Sequence, residues 1–307
     1  MDVITRGVRL KFRQDRWSGS CFSKEVLTGP VMESCSHIAM AKQQVAFPSA
    51  DLIKRSRLGI QHPSQRLIDE AHAGESRIVG GSSADFNDHP HQASLQRSDS
   101  HICGASLVSA KWLITAAHCV DTGTSSPPNP ADFTIKLGTN QHASGGTTYT
   151  VKKIIMHDGY NDGSGTYAND IALIELNNFV QGVSSIAMAS SSDGDFAGQT
   201  CVITGWGKTS GAWWAGLSPS LQEVEMTVIS NNNCGNQWSS QTILGSHVCI
   251  FQTDKSACNG DSGGPLVCNN KLVGATSWGS STCSGTLPSV YTRISSFRSW
   301  IQQQAGI

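Results

Sequence analysis

The distribution of cysteine is the feature of this 307-residue chain that most restricts its fold. Eight of the ten cysteines lie after Ile78, and none of these eight belongs to a close C-x-x-C pair of the kind that binds zinc. We therefore expect four disulfides and an oxidising compartment. Cys21 and Cys35, nearer the amino terminus, stay unassigned. The eight later cysteines are Cys103, Cys119, Cys201, Cys234, Cys249, Cys258, Cys268 and Cys283.

Short apolar runs separated by clusters of Gly, Ser, Asn and Pro predict an all-β fold from Ile78 onward. The chain contains 31 glycines and 15% charged residues, a composition typical of a loop-rich extracellular domain. Repeated short strands with turn residues between them indicate a sandwich or a barrel. The clearest strand segments are 105–108, 133–137, 151–156, 171–176, 201–204, 266–267 and 271–277.

The last segment, 291–307, has a different period. Ile294, Phe297, Trp300 and Ile301 recur at spacings of three and four residues, which is typical of a short amphipathic helix. We expect this carboxy-terminal helix to pack its apolar face against a barrel.

Residues 1–77 differ in composition from the rest of the chain. They carry 12 Lys and Arg against 8 Asp and Glu, whereas the remainder carries 10 against 15. The acidic remainder has no basic stripe, which argues against nucleic-acid binding, and no segment reaches the roughly 18 apolar residues of a membrane span. Residues 1–30 contain no recognisable secretory signal. Either this segment is an unusual pro-region with an unrecognised export signal, or its first part is a wrongly assigned start. Because a disulfide-rich protein needs export, we favour the second explanation and expect roughly residues 1–45 to lie outside the true product.

A glycine-rich serine segment is the first indication of chemistry. Residues 260–265, Gly-Asp-Ser-Gly-Gly-Pro, place a hydroxyl where the backbone can approach a substrate closely. Alone, such a segment is more often just a turn. Two further segments, Leu113–Cys119 and Asn169–Leu173, supply His118 and Asp170. Their order along the chain, His then Asp then Ser, is one of the orders in which a nucleophilic serine finds its base and orienting carboxylate.

With these segments the chain resembles the chymotrypsin-like serine proteases from Ile78 to Ile307. Alpha/beta hydrolases and subtilisins carry the three residues in other orders. Three further motifs support the resemblance: Arg77–Gly81 (RIVGG), Thr204–Gly207 (TGWG) and Ser277–Gly279 (SWG).

The resemblance implies a fold and a disulfide pattern. The fold would consist of two six-stranded antiparallel β-barrels, near 78–190 and 191–290, followed by the carboxy-terminal helix. The implied disulfide pairs are Cys103–Cys119, Cys201–Cys268, Cys234–Cys249 and Cys258–Cys283.

The resemblance also implies catalytic roles. His118 would take the proton of Ser262 as its hydroxyl attacks a peptide carbonyl, and Asp170 would fix the tautomer of the imidazole. The backbone N–H groups of Gly260 and Ser262 would bind the resulting oxyanion. The other nine histidines lack such a context, so we expect them at the surface or within residues 1–77.

Activation is implied by the Arg77–Ile78 bond, because family members are cut at such a bond. The new ammonium group of Ile78 would pair with Asp261, a carboxylate that is otherwise costly to bury. We therefore expect residues 1–77 to be a leader or pro-region, residues 78–307 to be the protease domain, and the intact chain to be an inactive zymogen.

The substrate pocket is expected to favour large apolar side chains. Ser256 aligns with the pocket floor, where trypsin-like enzymes carry an aspartate, and a hydroxyl does not neutralise a desolvated Arg or Lys. Gly279 leaves one wall open, and Ser289 stands where chymotrypsins usually have glycine. Ser277, with Trp278 and Gly279, would pair with the substrate as an added strand. We expect cleavage after Phe, Tyr, Leu or Met.

The implied activity is that of a secreted, digestive serine endopeptidase, a monomer acting on proteins and peptides without a metal or cofactor. Since an enzyme that avoids arginine should not cut its own Arg77–Ile78 bond, a trypsin-like activating protease is an expected partner, together with protein protease inhibitors. Neither nucleic acid nor membrane is expected to bind. Ser289 leaves an elastase-like or broad specificity open. A second class, the inactive homologues that act as binding modules, usually lacks a triad residue, and this chain has all three.

Overall fold

A computed structural model describes residues 78–124, 126–160 and 166–307. Arg77, Cys21 and Cys35 lie outside the described residues, as does the rest of the expected leader. None of the described helices is long and apolar enough to cross a membrane.

Six strands form the first barrel. They are β2 (Gln92–Arg97), β3 (Ser100–Leu107), β4 (Trp112–Thr115), β5 (Phe133–Leu137), β6 (Thr147–Met156) and β7 (Ala172–Leu176). The sheet closes in the order β2-β3-β4-β7-β6-β5, and each neighbouring pair is antiparallel. In β5 the buried residues Phe133, Ile135 and Leu137 alternate with half-buried ones, as a strand with one face toward a core requires.

Six more strands form the second barrel. They are β9 (Thr200–Gly205), β10 (Gln222–Ile229), β11 (His247–Phe251), β12 (Pro265–Cys268), β13 (Lys271–Trp278) and β14 (Ser289–Arg293). The order is β10-β11-β14-β13-β12-β9, and the pairing of β9 with β10 closes the ring. Two short strands lie outside the ring: β1 (Ser82–Ser83) on β10, and β8 (Ala187–Met188) parallel to β13.

The expected fold class is confirmed, but two boundaries differ from the expectation. The first barrel begins at Gln92, because the earlier strand β1 pairs with the second barrel. The helix expected over 291–307 is shorter: residues Tyr291–Arg293 belong to β14, a 3₁₀ turn covers Ile294–Phe297, and an α-helix follows at Arg298–Ala305. The buried Tyr291 pairs with β11 and β13, so sheet pairing overrides the helical spacing there.

A third apolar cluster joins the two barrels. It combines Ile114 and Leu173 of the first barrel with Leu272 of the second, and Phe297 and Ile301 of the carboxy-terminal segment pack against it. The carboxy-terminal segment therefore packs at the seam between the barrels.

Four disulfides cross-link the described chain. Two of them bear directly on the site described below. Cys103–Cys119 joins β3 to the turn that carries His118, and Cys258–Cys283 links two loops of the second barrel. The pairs are those that the resemblance implied: Cys103–Cys119, Cys201–Cys268, Cys234–Cys249 and Cys258–Cys283.

Candidate active site

The fold places His118 beside Asp170. His118 lies in a 3₁₀ turn directly after β4, and Asp170 lies just before β7. These strands are antiparallel neighbours, with Thr115 at the end of β4 opposite Ala172 at the start of β7. The segments that follow β4 and precede β7 therefore emerge at the same edge of the first barrel.

Asp170 holds His118 through both carboxylate oxygens. Its Oδ2 accepts a hydrogen bond from His118 Nδ1 at 2.8 Å, and its Oδ1 accepts one from the backbone N–H of His118 at 2.9 Å. The Asp170 side chain is 2% exposed, whereas that of His118 is 32% exposed. Burial lowers the pKa of His118, but the hydrogen bond to Asp170 and its negative charge outweigh burial, so the pKa lies above its usual value of 6.5.

Two hydroxyl groups of the second barrel also bind Asp170. Ser277 Oγ donates to Oδ2 at 2.5 Å, and Thr292 Oγ1 donates to the backbone carbonyl of Asp170 at 2.7 Å. The sequence had indicated Ser277 only as part of a substrate-binding strand. No local pattern marks either hydroxyl, because the contacts form only when the two barrels pack together.

Ser262 belongs to a loop of the second barrel whose backbone is bound to the first. Gly104 N donates to the Ser262 carbonyl at 2.8 Å, and Thr115 Oγ1 donates to the Gly104 carbonyl at 2.8 Å. Gly263 lies against Thr115 so closely that no side chain would fit. Among the described residues Ser262 Oγ forms no hydrogen bond with His118; this contact is often loose in enzymes without substrate.

The segment 260–264 leaves two backbone donors free. Asp261, Gly263 and Gly264 each donate their N–H to a backbone carbonyl. The N–H groups of Gly260 and Ser262 have no acceptor within the described part of the chain. Gly260 has a φ of +101°, a conformation that glycine adopts without strain. Two free donors on either side of one residue can bind a single oxygen atom, which is the arrangement that an oxyanion requires.

Asp261 is buried without a charged partner among the described residues. Its Oδ1 accepts from Gly207 N at 2.8 Å and its Oδ2 from Cys258 N at 2.9 Å. Burial raises the pKa of this carboxyl to about 6, although the two backbone hydrogen bonds act in the opposite direction.

The start of the described chain lies against the same part of the second barrel. Ile78 is fully buried in the apolar core of that barrel. Val79 forms an isolated antiparallel bridge with Ser256, five residues before Asp261.

The expectation for the other histidines was wrong in four cases. His89, His91, His101 and His247 are all buried. His101 is the one that contacts the site: its Nε2 donates to the carbonyl of Gly260 at 2.9 Å, so its Nδ1 accepts from the Ser94 hydroxyl at 2.8 Å. Burial lowers the pKa of His101 to about 4, despite the Gly260 carbonyl. A neutral imidazole with both nitrogens bonded can be buried without a charge.

A cavity of about 270 Å³ opens beside Ser262. Its lining includes the strand residues Ser277, Trp278 and Gly279, and also Ser289. A Cβ atom added at Gly279 would lie 3.9 Å from Ser289 Oγ, so these two residues are neighbours on the lining of the cavity. The absence of a side chain at Gly279 keeps the space open.

Ser256 lies behind this cavity rather than on its surface. The residue is buried, its hydroxyl donates to the Ala257 carbonyl at 2.7 Å, and it lies 3.3 Å from Ser289 Oγ. Of these two serines, Ser289 is therefore the one that lines the cavity.

Cys103, His118 and Cys119 are potential metal ligands within 4.8 Å of one another. The two sulfur atoms are bonded to each other and His118 is held by Asp170, so this group offers no thiolate to a metal.

Comparisons with known proteins agree with this geometry. The family model described as Trypsin matches residues 78–301. The chain is 41% identical over 248 residues to a chymotrypsin-like serine proteinase of Haliotis rufescens, covering 74% of this chain and 91% of the relative. It is 37% identical over 238 residues to trypsin delta of Drosophila melanogaster, covering 75% and 89%.

Among solved structures, the fold matches neuropsin, a serine protease expressed in the limbic system of mouse brain, with a TM-score of 0.65. The identity is 31%, and the match covers 74% of this chain and 99% of neuropsin. A family model over most of the chain, relatives above 30% identity and a shared fold all agree. The chain belongs to the trypsin family and is a serine endopeptidase.

Proposed function

We propose that the protein cleaves peptide bonds after large apolar or aromatic residues, namely Phe, Tyr, Leu and Met. One observation carries this proposal: the cavity beside Ser262 has an open wall at Gly279 and contains no carboxylate among its lining residues. An arginine or lysine side chain entering it would lose its water without gaining an opposite charge, whereas an apolar side chain gains from burial.

In the proposed reaction His118 is the base and Ser262 the nucleophile. The neutral His118 Nε2 takes the hydroxyl proton as Ser262 Oγ bonds to the scissile carbonyl carbon, and the carbonyl π electrons move onto oxygen. The N–H groups of Gly260 and Ser262 stabilise this oxyanion. Asp170 keeps the proton on Nδ1 and stabilises the imidazolium that forms.

The intermediate then collapses toward products. The carbon–nitrogen bond breaks, the imidazolium gives its proton to the leaving amine, and an ester on Ser262 remains. Water repeats the sequence: its oxygen bonds to the ester carbon as His118 takes its proton, the bond between that carbon and Ser262 Oγ breaks, the proton returns to Oγ, and the carboxylic acid product leaves.

Two hydroxyl groups shape the pocket in this proposal. Ser289 narrows the wall beside Gly279, and Ser256 lies behind it. We expect a ring or a branched chain to fit, with lower activity toward tryptophan than toward Phe or Leu. If Ser289 instead restricts the pocket to small side chains, the enzyme is elastase-like, and the best substrate ends in Ala.

The proposal includes activation and export. Residues 1–77 serve as a leader or pro-region, and cleavage at Arg77–Ile78 by a trypsin-like protease creates an ammonium group that pairs with Asp261. The buried positions of Ile78 and Asp261 in the second barrel support this pairing. Four disulfides support secretion, and the proposed role of the secreted enzyme is digestive.

The experiment treats the purified chain with trypsin, removes the trypsin, and measures hydrolysis of chromogenic peptides ending in Phe, Leu, Ala and Arg. We expect the highest kcat/KM for Phe and Leu. The variant Ser262→Ala, treated identically, controls for residual trypsin. Highest activity on Ala would support the elastase-like alternative, while highest activity on Arg would overturn the assigned specificity. No turnover of any peptide would refute the proposed function.

A further inference from the structure

Two adjacent tryptophans are exposed on a loop that the reaction does not use. Trp213 is 85% exposed and Trp214 is 73% exposed. Their ring centroids lie 5.5 Å apart, and the planes are nearly perpendicular. Side chains of this size usually bury most of their surface, and exposed aromatic residues are enriched at binding surfaces. We call residues 208–217 the tryptophan loop.

The base of the tryptophan loop is fixed against Asn259 and Gly260, next to the two free N–H groups described above. Lys208 and Leu217 pair with each other as an isolated bridge. Lys208 N donates to the Asn259 carbonyl at 2.8 Å. The Leu217 side chain covers Gly260 so closely that a Cβ atom added there would lie 2.6 Å from Leu217 Cδ2.

A second contact holds the first arm of the tryptophan loop. Gly211 packs directly on the backbone of Thr282, leaving no space for a side chain. Thr282 lies beside Ser281 and Cys283, which line the substrate cavity. The loop is therefore held next to the cleft at Lys208, Gly211 and Leu217, while the rings of Trp213 and Trp214 face solvent.

The position of Gly260 indicates which part of a substrate meets this loop. Residues before the scissile bond extend along Ser277–Gly279, as an added strand. In the proposed reaction the scissile carbonyl oxygen binds the N–H of Gly260, so the chain beyond the bond would leave from Gly260 and away from that strand. Leu217 covers Gly260, so the tryptophan loop is the neighbouring surface on this side.

We propose that Trp213 and Trp214 bind apolar side chains of the protein substrate on the leaving-group side of the scissile bond. The tryptophan loop is continuous with the cleft, and it presents aromatic surface with no charge among residues 211–217. Apolar residues buried against two indole rings lose water-exposed area on both partners. The inference rests on the proposed cleavage at Ser262 and adds a second determinant of specificity, on the other side of the bond.

The test uses the activated enzyme and three substrates with the same sequence up to a Phe at the cleaved bond. One ends there as a chromogenic amide, one continues with three leucines, and one continues with three serines. We expect wild type to prefer the leucine peptide. In Trp213→Ser/Trp214→Ser the ratio of kcat/KM for the leucine peptide to that for the serine peptide should fall by about fivefold to tenfold, as for loss of an aromatic anchor. Hydrolysis of the amide should not change, because the amide does not reach the loop.

Two variants control for the loss of surface aromatic residues. Trp213→Phe/Trp214→Phe keeps apolar rings at both positions and should retain most of the preference. Phe179→Ser removes an aromatic side chain that is 66% exposed and packs under Lys111 of the first barrel, and it should leave the ratio unchanged.

The outcomes separate this inference from the proposed function. If wild type cleaves all three substrates but the tryptophan variants keep the wild-type ratio, the tryptophan proposal is overturned and the cleavage remains. If wild type self-associates and Trp213→Ser/Trp214→Ser is the one variant that does not, the two tryptophans form a contact between copies of the chain instead. Failure of wild type to cleave any of the three would refute the proposed function itself.

Discussion

Asp170 and Asp261 are buried to almost the same extent, 1% and 2% exposed, yet their surroundings differ. The Asp170 carboxylate accepts hydrogen bonds from the backbone and ring of His118 and from the hydroxyl of Ser277. The Asp261 carboxylate accepts only two backbone N–H groups, from Gly207 and Cys258. A buried carboxylate needs several such partners or a cation to stay ionised at low cost.

The difference is that Asp170 already has all the partners it needs, whereas Asp261 lacks one. Asp170 already has the partners that orient the proposed base. Asp261, between the free N–H groups of Gly260 and Ser262, has no cation among the described residues and a raised pKa. Under the proposed activation, cleavage after Arg77 supplies the missing charge. The comparison therefore predicts that the two carboxylates respond differently to mutation, to pH and to cleavage.

The largest expected effect is that of Asp170→Asn in the activated enzyme. An amide in place of the carboxylate permits the wrong histidine tautomer, so kcat should fall by about 10⁴. The measurement is steady-state hydrolysis of the Phe amide. Asp193→Asn, a change to an aspartate that pairs with Lys271 far from the cleft, is the matched control and should keep wild-type activity. A minor decrease in the Asp170 variant would contradict the role of this contact.

Asp261→Asn should have a smaller effect after activation. Without a carboxylate, the new Ile78 ammonium has no partner, and the oxyanion donors lose their fixed position. We expect kcat/KM to fall by about 10² to 10³, the cost of losing an oxyanion donor. The measurement uses the same amide after complete cleavage, verified by amino-terminal sequencing. Undiminished activity in the cleaved variant would show that Asp261 is not needed as a partner of the Ile78 ammonium group.

The stability of the uncut chain should depend on the titration of Asp261. The pKa in the folded chain is about 6, above the ordinary value of 3.8, so the folded state binds the proton more tightly than the unfolded state. This contribution is complete below pH 3.8 and is lost as the pH rises through 6. The loss should reach about 3 kcal/mol in unfolding free energy.

The measurement compares urea unfolding of the uncut Ser262→Ala chain with the same chain carrying Asp261→Asn. The unfolding free energy of the Ser262→Ala chain, relative to that of the chain with Asp261→Asn, should fall as the pH rises through 6. After cleavage the ammonium stabilises the ionised carboxylate, so this loss of stability with rising pH should disappear. A difference that does not fall as the pH rises through 6 in the uncut chain would contradict the raised pKa of Asp261.

The smallest expected effect is a shift in the pH profile of the activated enzyme. His118 acts as a base only when it is neutral, and Asp170 raises its pKa above 6.5. The kcat/KM for the Phe amide should therefore decline as the pH falls, with its inflection above pH 6.5 rather than below it. An inflection below that value would mean that burial outweighs Asp170 at this site.

The fold could be predicted from the sequence where the signal is local. Alternating apolar residues and turn residues marked strands such as β5. The histidine and aspartate motifs marked His118 and Asp170, which the first barrel brings into contact, and the serine motif marked Ser262, which lines the cavity. The helical spacing of Ile294 and Phe297 was misread as a helix from Tyr291, because a buried strand ends where a 3₁₀ turn begins.

Contacts between distant segments could not be predicted in this way. Ser277 and Asp170 are separated by 107 residues, and His101 and Gly260 by 159. A serine within a strand and a histidine near a turn have no distinctive pattern, so their roles became visible only when the barrels were packed together. The burial of His101 depends on acceptors and donors from two other segments, which explains why a surface position had been expected.

The most direct test of the account compares amidase activity before and after cleavage of the Arg77–Ile78 bond. The measurement is kcat/KM for the Phe amide, made on one preparation, with Arg77→Gln as the chain that resists activation. We predict a large rise in wild type that coincides with the appearance of Ile78 as a new amino terminus, and no rise in Arg77→Gln. Full activity of the uncut Arg77→Gln chain would show that Asp261 needs no new ammonium group, and it would contradict the account.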